Sequence, residues 1–223
     1  MSTLNLEPIK TLIEETASPA ELHLREAVER TAGFLLFVAT APVTMLSALT
    51  SMALSSRSPF VAHLRVGKND CPFWMWKIRT MWHRCDAAPR MWHWVEYVVA
   101  EPVEDGKPSN DPRVTSRFAA FCRRHSIDEL PQLWNVVRGE MSLVGPRPLT
   151  RAEVRRHYGK RSEELLSVKP GLTGLWQVYG RSTIRFPQRA AMDLELVRKL
   201  NPGLYIKILL RTTIALVSGQ GAW

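Results

Sequence analysis

GFLLFVATAPVTMLSALTSMAL, residues 33–54, runs for twenty-two positions without a charged side chain. That length matches a helix crossing the hydrocarbon core of a bilayer. Two features complicate a plain span. Pro42 sits near the middle, where it removes a backbone hydrogen bond and bends a helix. Both flanks are basic, with Arg25 and Arg30 before the run and Arg57, Arg65 and Lys68 after it. An excess of positive charge on one flank would set a direction, and here neither flank wins. Three readings follow: a helix that bends at Pro42 and returns to the same face, a kinked span, and a buried core hairpin.

Upstream, SPAELHLREAVER at 18–30 predicts a helix. Ser18 can cap it, Pro19 suits the first helical position, and Glu21 falls three residues after the cap. No basic segment precedes a short apolar core with a cleavage site, so the N-terminus does not read as a secretory signal. Downstream, Trp74, Trp76, Trp82, Trp92 and Trp94 crowd one stretch. They predict either a membrane–water interface, which tryptophan favours, or a buried aromatic cluster. FWMWKIRTMWH reads as a strand or an interfacial segment, WVEYVVAEPV as a strand, and EDGKPSNDP as a turn-rich loop. Helices are expected over 118–125, 130–138, 152–166, 188–200 and 204–217, from their apolar spacing.

The 223 residues are 45% apolar, enough for a core, and carry a formal net charge of +9. A basic chain suits an anionic partner: nucleic acid, an acidic membrane surface or a phosphorylated ligand. The three cysteines, Cys71, Cys85 and Cys122, show no metal-ligand spacing and predict free thiols in a reducing compartment.

HSIDELPQLWN, residues 125–135, places two carboxylates, Asp128 and Glu129, at a helix start. A structural account is available, because Ser126-x-x-Glu129 matches a capping box and acidic first turns suit the helix dipole. Pro131 fits that register poorly, since an α-helix capped at Ser126 needs its missing N–H. A catalytic account is the alternative. It gains from the cations nearby: Arg123 before the pair, Lys77 and Arg79 in KIRTM, Arg147 between two prolines in MSLVGPRPL, and Arg181 after PGLTGLWQVYG. Arginine in a rigid Pro- or Gly-rich frame suits bidentate phosphate binding, and several such frames point to a polyphosphate.

KIRTM, DPRVT, SIDELPQLWNVVRGEMSLVGPRPL, PGLTGLWQVYGRS, DLELV and GQGAW follow one another in order. From about Arg30 onward the chain resembles the bacterial sugar transferases, the monotopic polyprenyl-phosphate phosphoglycosyl transferases. The resemblance implies an α+β fold. Its parts are a mainly helical catalytic domain with a small β element, an N-terminal re-entrant membrane helix broken at Pro42, and interfacial amphipathic helices. The expected divisions are a polar segment at 1–30, the anchor at 31–56 and the catalytic domain at 57–223. Asp128 is then the nucleophile and Glu129 its partner, with Mg2+ bound at the dyad through Asp128. Lys77, Arg79, Arg123, Arg147 and Arg181 are expected to hold phosphates. Asp193, in DLELV, is either a further substrate or metal contact or an exposed acid on an amphipathic helix. The implied partners are a UDP-sugar, polyprenyl (undecaprenyl) phosphate and membrane lipid at the cytoplasmic face of the bacterial inner membrane. A second copy of the chain or downstream glycosyltransferases would be protein partners. Two alternatives are a basic nucleic-acid module, which is not expected because it leaves residues 33–54 and the acidic pair unexplained, and a non-catalytic membrane scaffold of a glycan-assembly complex, against which the intact acidic pair and arginines argue. The Trp-rich insert CDAAPRMWHWVEYVV departs from the family pattern.

Overall fold

The computed structural model describes residues 19–82, 93–99, 114, 116–180 and 184–219. Cys85, Trp92, Arg181 and the expected cap Ser18 lie outside these. The short N-terminal helix and the apolar run form one helix, α1, Pro19–Ser55. Its 37 residues make it about 55 Å long at 1.5 Å per residue. Pro42 lies inside α1 on the solvent-facing side, and helical structure continues on both sides of it. The expected break is therefore not a gap in the helix. Proline costs one main-chain bond, and the rest of the ladder closes around it.

One stripe of α1 faces the protein: Gly33, Phe37, Thr40, Ala41, Thr44, Ser47, Ala48, Ser51 and Ser55. The spacing of three and four is that of one helix face. The opposite side exposes Phe34, Leu35, Val38, Val43, Met45, Leu46 and Leu49. Only 17% of the most apolar window is buried, so α1 is not a core helix. Its threonine hydroxyls are satisfied within the helix: Thr31, Thr40, Thr44 and Thr50 each donate to the carbonyl four residues back.

Docking is close because the stripe is small. A Cβ on Gly33 would stand 2.8 Å from Val136 Cγ1. Ser51 donates to the Arg79 carbonyl at 2.5 Å. Gly33 and Ser51 are about 27 Å apart along the axis, yet both rest on the same body of protein.

That body is mostly helical with two small sheets. β1 (Phe60–Val66) pairs antiparallel with β2 (Pro72–Ile78) and parallel with β3 (Val95–Val98), in the order β2-β1-β3. α2 (Arg117–Arg124) leads into a 3₁₀ segment, Ile127–Gln132, and then α3 (Leu133–Val137). β4 (Ser142–Val144) and β5 (Gly171–Thr173) form a parallel pair. Between them lie α4 (Arg151–Tyr158) and α5 (Ser162–Leu166), split by Gly159 at φ 49°, where one surface helix was expected. Thr150 and Glu153 close a capping box on α4. α6 (Leu175–Tyr179), α7 (Phe186–Lys199) and α8 (Pro202–Ser218) complete the chain. Phe73 and Met75 of β2 pack with Leu133, Val136, Met141 and Leu143, and Ala32 and Phe37 of α1 rest on that cluster. The tryptophans divide between the two readings. Trp82 is buried, Trp94 is exposed, and Trp74 meets Tyr97 edge-on at 4.9 Å.

The β4–β5 pair closes on two glycines. Gly145 N–H donates to Thr173 O at 2.9 Å and Gly171 N–H to Pro146 O at 2.8 Å. A Cβ on Gly171 would fall 2.0 Å from Gly145 N, which is backbone and cannot rotate aside. Gly171→Ala is expected to destabilise the protein by about 3 kcal/mol or more, read as a fall in the thermal midpoint of detergent-solubilised protein.

Candidate active site

The proline that conflicts with an α-helical start shapes the acidic pair. Pro131 has no N–H to return to Ile127, and residues 127–132 take the tighter 3₁₀ path. Ser126 stands at φ 54°, a left-handed conformation uncommon outside glycine, and its side chain makes no capping bond. The capping-box reading thus fails, and Glu129 turns elsewhere: its Oε1 accepts from Lys77 Nζ at 2.6 Å. Strain next to buried charge is a recurrent mark of functional sites.

Asp128 is 7% exposed. Burial raises its carboxyl to about 6, against the pull of Lys77 and Arg123 and with the push of Glu129. Arg123, on the last turn of α2, has a buried Nε with no partner among the described residues. The Cys122 thiol is pushed up to about 11 by burial and by Asp128, and it meets Ser47 of α1. The small-residue stripe of α1 therefore lies directly behind the acidic pair.

Asn135, which sequence reasoning missed, fixes the β2 backbone just before Lys77. It is fully buried, its Nδ2 donates to Trp74 O at 2.8 Å and to Glu140 Oε2 at 2.7 Å, and its Oδ1 accepts from Trp76 N–H at 3.3 Å. One amide thus locks α3 to the edge of β2, with Lys77 next along. The available signal was a lone amide in the apolar helix LWNVV.

Arg147 and Asp193 form a second group. Asp193 is 1% exposed, which removes the reading of an exposed acid. Its Oδ2 accepts from the Tyr158 hydroxyl at 2.9 Å. Burial raises its carboxyl to about 7, while Tyr158, the Arg147 backbone N–H and charge, and the Trp176 N–H favour ionisation. The Arg147 and Arg189 guanidiniums lie 5.6 and 4.6 Å from the Trp176 ring centroid. Arg65, mostly buried, is drawn down to about 10 by desolvation and by Arg147 despite Glu153. Sequence reading found Arg147 and Asp193 but not Arg65, Tyr158, Trp176 or Arg189. Arg79 is placed otherwise than expected: it is 8% exposed, its Nε donates to Ser58 O at 2.8 Å and its Nη2 pairs with Glu96. Its guanidinium is occupied in joining the sheet to the end of α1.

Among the described residues no three His, Cys, Asp or Glu side chains gather to hold a metal by themselves. Two adjacent hard carboxylates do suit Mg2+, which commonly takes one or two protein carboxylates and completes its shell with substrate phosphates and water. Asp128 and Glu129 fit that pattern.

The family described as bacterial sugar transferase matches residues 20–219. The chain belongs to this family. It is 41% identical over 167 residues to the UDP-galactose-lipid carrier transferase of Erwinia amylovora, covering 74% of this chain and 35% of that protein. It is 36% identical over 167 residues to the exopolysaccharide production protein ExoY of Rhizobium meliloti, covering 74% and 73%. It is 34% identical over 207 residues to the UDP-glucose:undecaprenyl-phosphate glucose-1-phosphate transferase of Caulobacter vibrioides, covering 89% and 72%. Several relatives are much longer, and this sugar transferase chain spans little more than a third of the Erwinia protein.

Burying an ionised Asp128 opposes folding, so its replacement tests the site without any substrate. A carboxyl raised in the folded state costs stability once pH exceeds its folded pKa, and costs nothing below its unfolded one. Asp128→Asn is expected to stabilise the sugar transferase by roughly 2–3 kcal/mol above pH 6. The gain should vanish as pH falls towards 4, followed as the difference in thermal midpoint across that range.

Proposed function

We propose that this chain transfers a phosphosugar from a UDP-sugar to polyprenyl phosphate, giving polyprenyl-diphosphate-sugar and UMP and so initiating glycan assembly. The observation that carries the reading is the buried Asp128 carboxylate, set between Lys77 and Arg123 and backed by an apolar anchor helix. The names of the relatives support the substrate classes.

The chemistry runs in two steps. An Asp128 oxygen forms a bond to the β-phosphorus of the donor, and the bond from that phosphorus to the bridging oxygen breaks. UMP leaves with the electron pair, and an aspartyl-phosphosugar remains. A phosphate oxygen of the polyprenyl carrier then attacks the same phosphorus, and Asp128 departs as a carboxylate. Burial strips water from the nucleophile, while Lys77 keeps part of it ionised near neutral pH. Lys77 and Arg123 hold phosphate oxygens as charge shifts, and Arg147 holds the distal part of the diphosphate. Arg181 adds a phosphate contact from outside the described residues. Glu129, fixed by Lys77, orients that lysine and receives a proton from the acceptor when its phosphate arrives protonated. Mg2+ held by Asp128 and Glu129 would offset the repulsion between carboxylate and diphosphate.

The acceptor's tail stays in lipid, so its phosphate must be met at headgroup level. α1 would serve that need by bending at Pro42 and returning to the same face rather than spanning. A straight span would carry Gly33 and Ser51 to opposite faces, whereas both are docked on one body of protein. The exposed Ile206, Leu210 and Ile214 of α8 give an interfacial apolar edge, and Lys207 beside them suits anionic headgroups. The cytoplasmic membrane face is where nucleotide sugars and this geometry meet.

Two measurements test the proposal. Protein in detergent or nanodiscs is given undecaprenyl phosphate, Mg2+ and UDP-hexoses, and UMP is assayed. Lipid-dependent UMP that Asp128→Asn abolishes is expected, with an acid limb near pH 6 that Lys77→Met moves up by about one unit. UMP release that survives in Asp128→Asn removes Asp128 as nucleophile. For the anchor, single cysteines at positions 25 and 57 should label from the same side of sealed vesicles. Labelling from opposite sides would establish a span.

A further inference from the structure

The N-terminal turns of α1 reach the protein body through one carboxylate oxygen. Glu29 Oε1 accepts from the Leu143 N–H at 2.8 Å, the Tyr205 hydroxyl at 2.6 Å and the Ser142 hydroxyl at 2.5 Å. Three donors converging on an ionised acceptor make strong, charge-assisted bonds. Ser142 and Leu143 open β4, and Tyr205 lies in the first turn of α8. The contacts on either side belong to the same junction. Glu26 pairs with Lys169 at 2.5 Å, just before β5, and Arg30 Nε donates to Val137 O at 2.8 Å, at the end of α3.

β4 thus begins against α1 and ends at the Arg147 loop, and that loop bonds back to Gly171, the start of β5, where Lys169 reaches Glu26. Gly145 and Gly171 lock the two strands by backbone bonds and leave no room for a side chain between them. Three residues separate Leu143 from Arg147: Val144 at the end of the strand, then Gly145 and Pro146. Little slack is available to absorb a shift at Leu143 before it reaches Arg147.

We propose that Glu29 is a positioning residue that ties β4 to the anchor helix and so sets the Arg147 loop where it takes the donor's diphosphate. The inference rests on the functional reading above for the identity of that ligand. It makes the anchor a part of donor capture as well as of membrane attachment. Misplacement of a binding group by about 1 Å is enough to lower turnover many-fold.

The test uses the full chain in nanodiscs with two readouts. Hydrogen exchange needs no substrate. Glu29→Ala should speed exchange across 142–149 and leave 60–78 at the wild-type rate, and Glu29→Gln, which keeps an acceptor oxygen, should restore most of the protection. In UMP release, Glu29→Ala should raise the KM for the UDP-sugar about tenfold and leave the KM for undecaprenyl phosphate unchanged. Combined with Arg147→Ala, it should add little further loss, since both act through one contact. Ser142→Ala, which cannot disturb the helix, should show the same direction on donor KM at smaller size. Wild-type exchange at 142–149 in Glu29→Ala overturns the inference, as does an additive loss with Arg147→Ala. If the wild type releases no UMP, the functional reading falls on its own, and the exchange result still decides whether Glu29 holds the loop.

Discussion

An apolar helix that packs along a folded body must turn a different side to that body from the one it exposes, and the rest of this structure depends on how α1 does so. Its inward stripe is built mainly from Gly, Ala, Ser and Thr, with Phe37 adding apolar burial. Their value is close approach: Gly33 lets the helix meet Val136, and Ser47 and Ser51 bring it to Cys122 and to the Arg79 carbonyl. Small residues are the usual means by which helices pack where lipid removes the hydrophobic drive. Most of the bulky side chains, Phe37 excepted, face outward. The same helix thereby presents an apolar outer side and forms the back wall of the acidic site.

That wall explains the electrostatics. A carboxylate at Asp128 loses its water because α1 and α2 close over it, and Lys77 and Arg123 return only part of what solvation would supply. Glu129 takes the direct ion pair with Lys77, and Asp128 has charge nearby but no ion pair among the described residues. A carboxylate paired closely with lysine would be stable and inert. One that is buried and only partly compensated sits higher in energy.

Much of this was legible in the sequence, for identifiable reasons. Residues 33–54 could be read because an uncharged run of that length has few uses. The acidic pair and Arg147 stood out because Pro131 and the Pro-Arg-Pro frame are costly in ordinary elements. Strands β1, β4 and β5 escaped because they are short or mixed in polarity, and their pairing joins residues far apart in the chain. Arg79 misled because proximity to Lys77 in sequence says nothing of which way a side chain turns once its strand ends. Asn135, Trp176 and Arg189 carry no local signal: each matters only through a partner on another element. Glu29 looked like one more charge on a solvated helix, and its three donors come from positions more than a hundred residues away.

The two cationic groups also account for the size of the body around so small a dyad. Lys77 and Arg123 exert their charge on Asp128, whereas Arg65, Arg147 and Arg189 act on one another and on Asp193. A single anion needs only one such group. Two groups on separate elements suit a ligand with anionic charge spread along its length, and they must be held at a constant separation to grip it. The elements that carry them, β2 with the 3₁₀ segment on one side and the β4–β5 pair on the other, share α1 as a common support. A long helix running beneath both is a mechanical answer to that requirement.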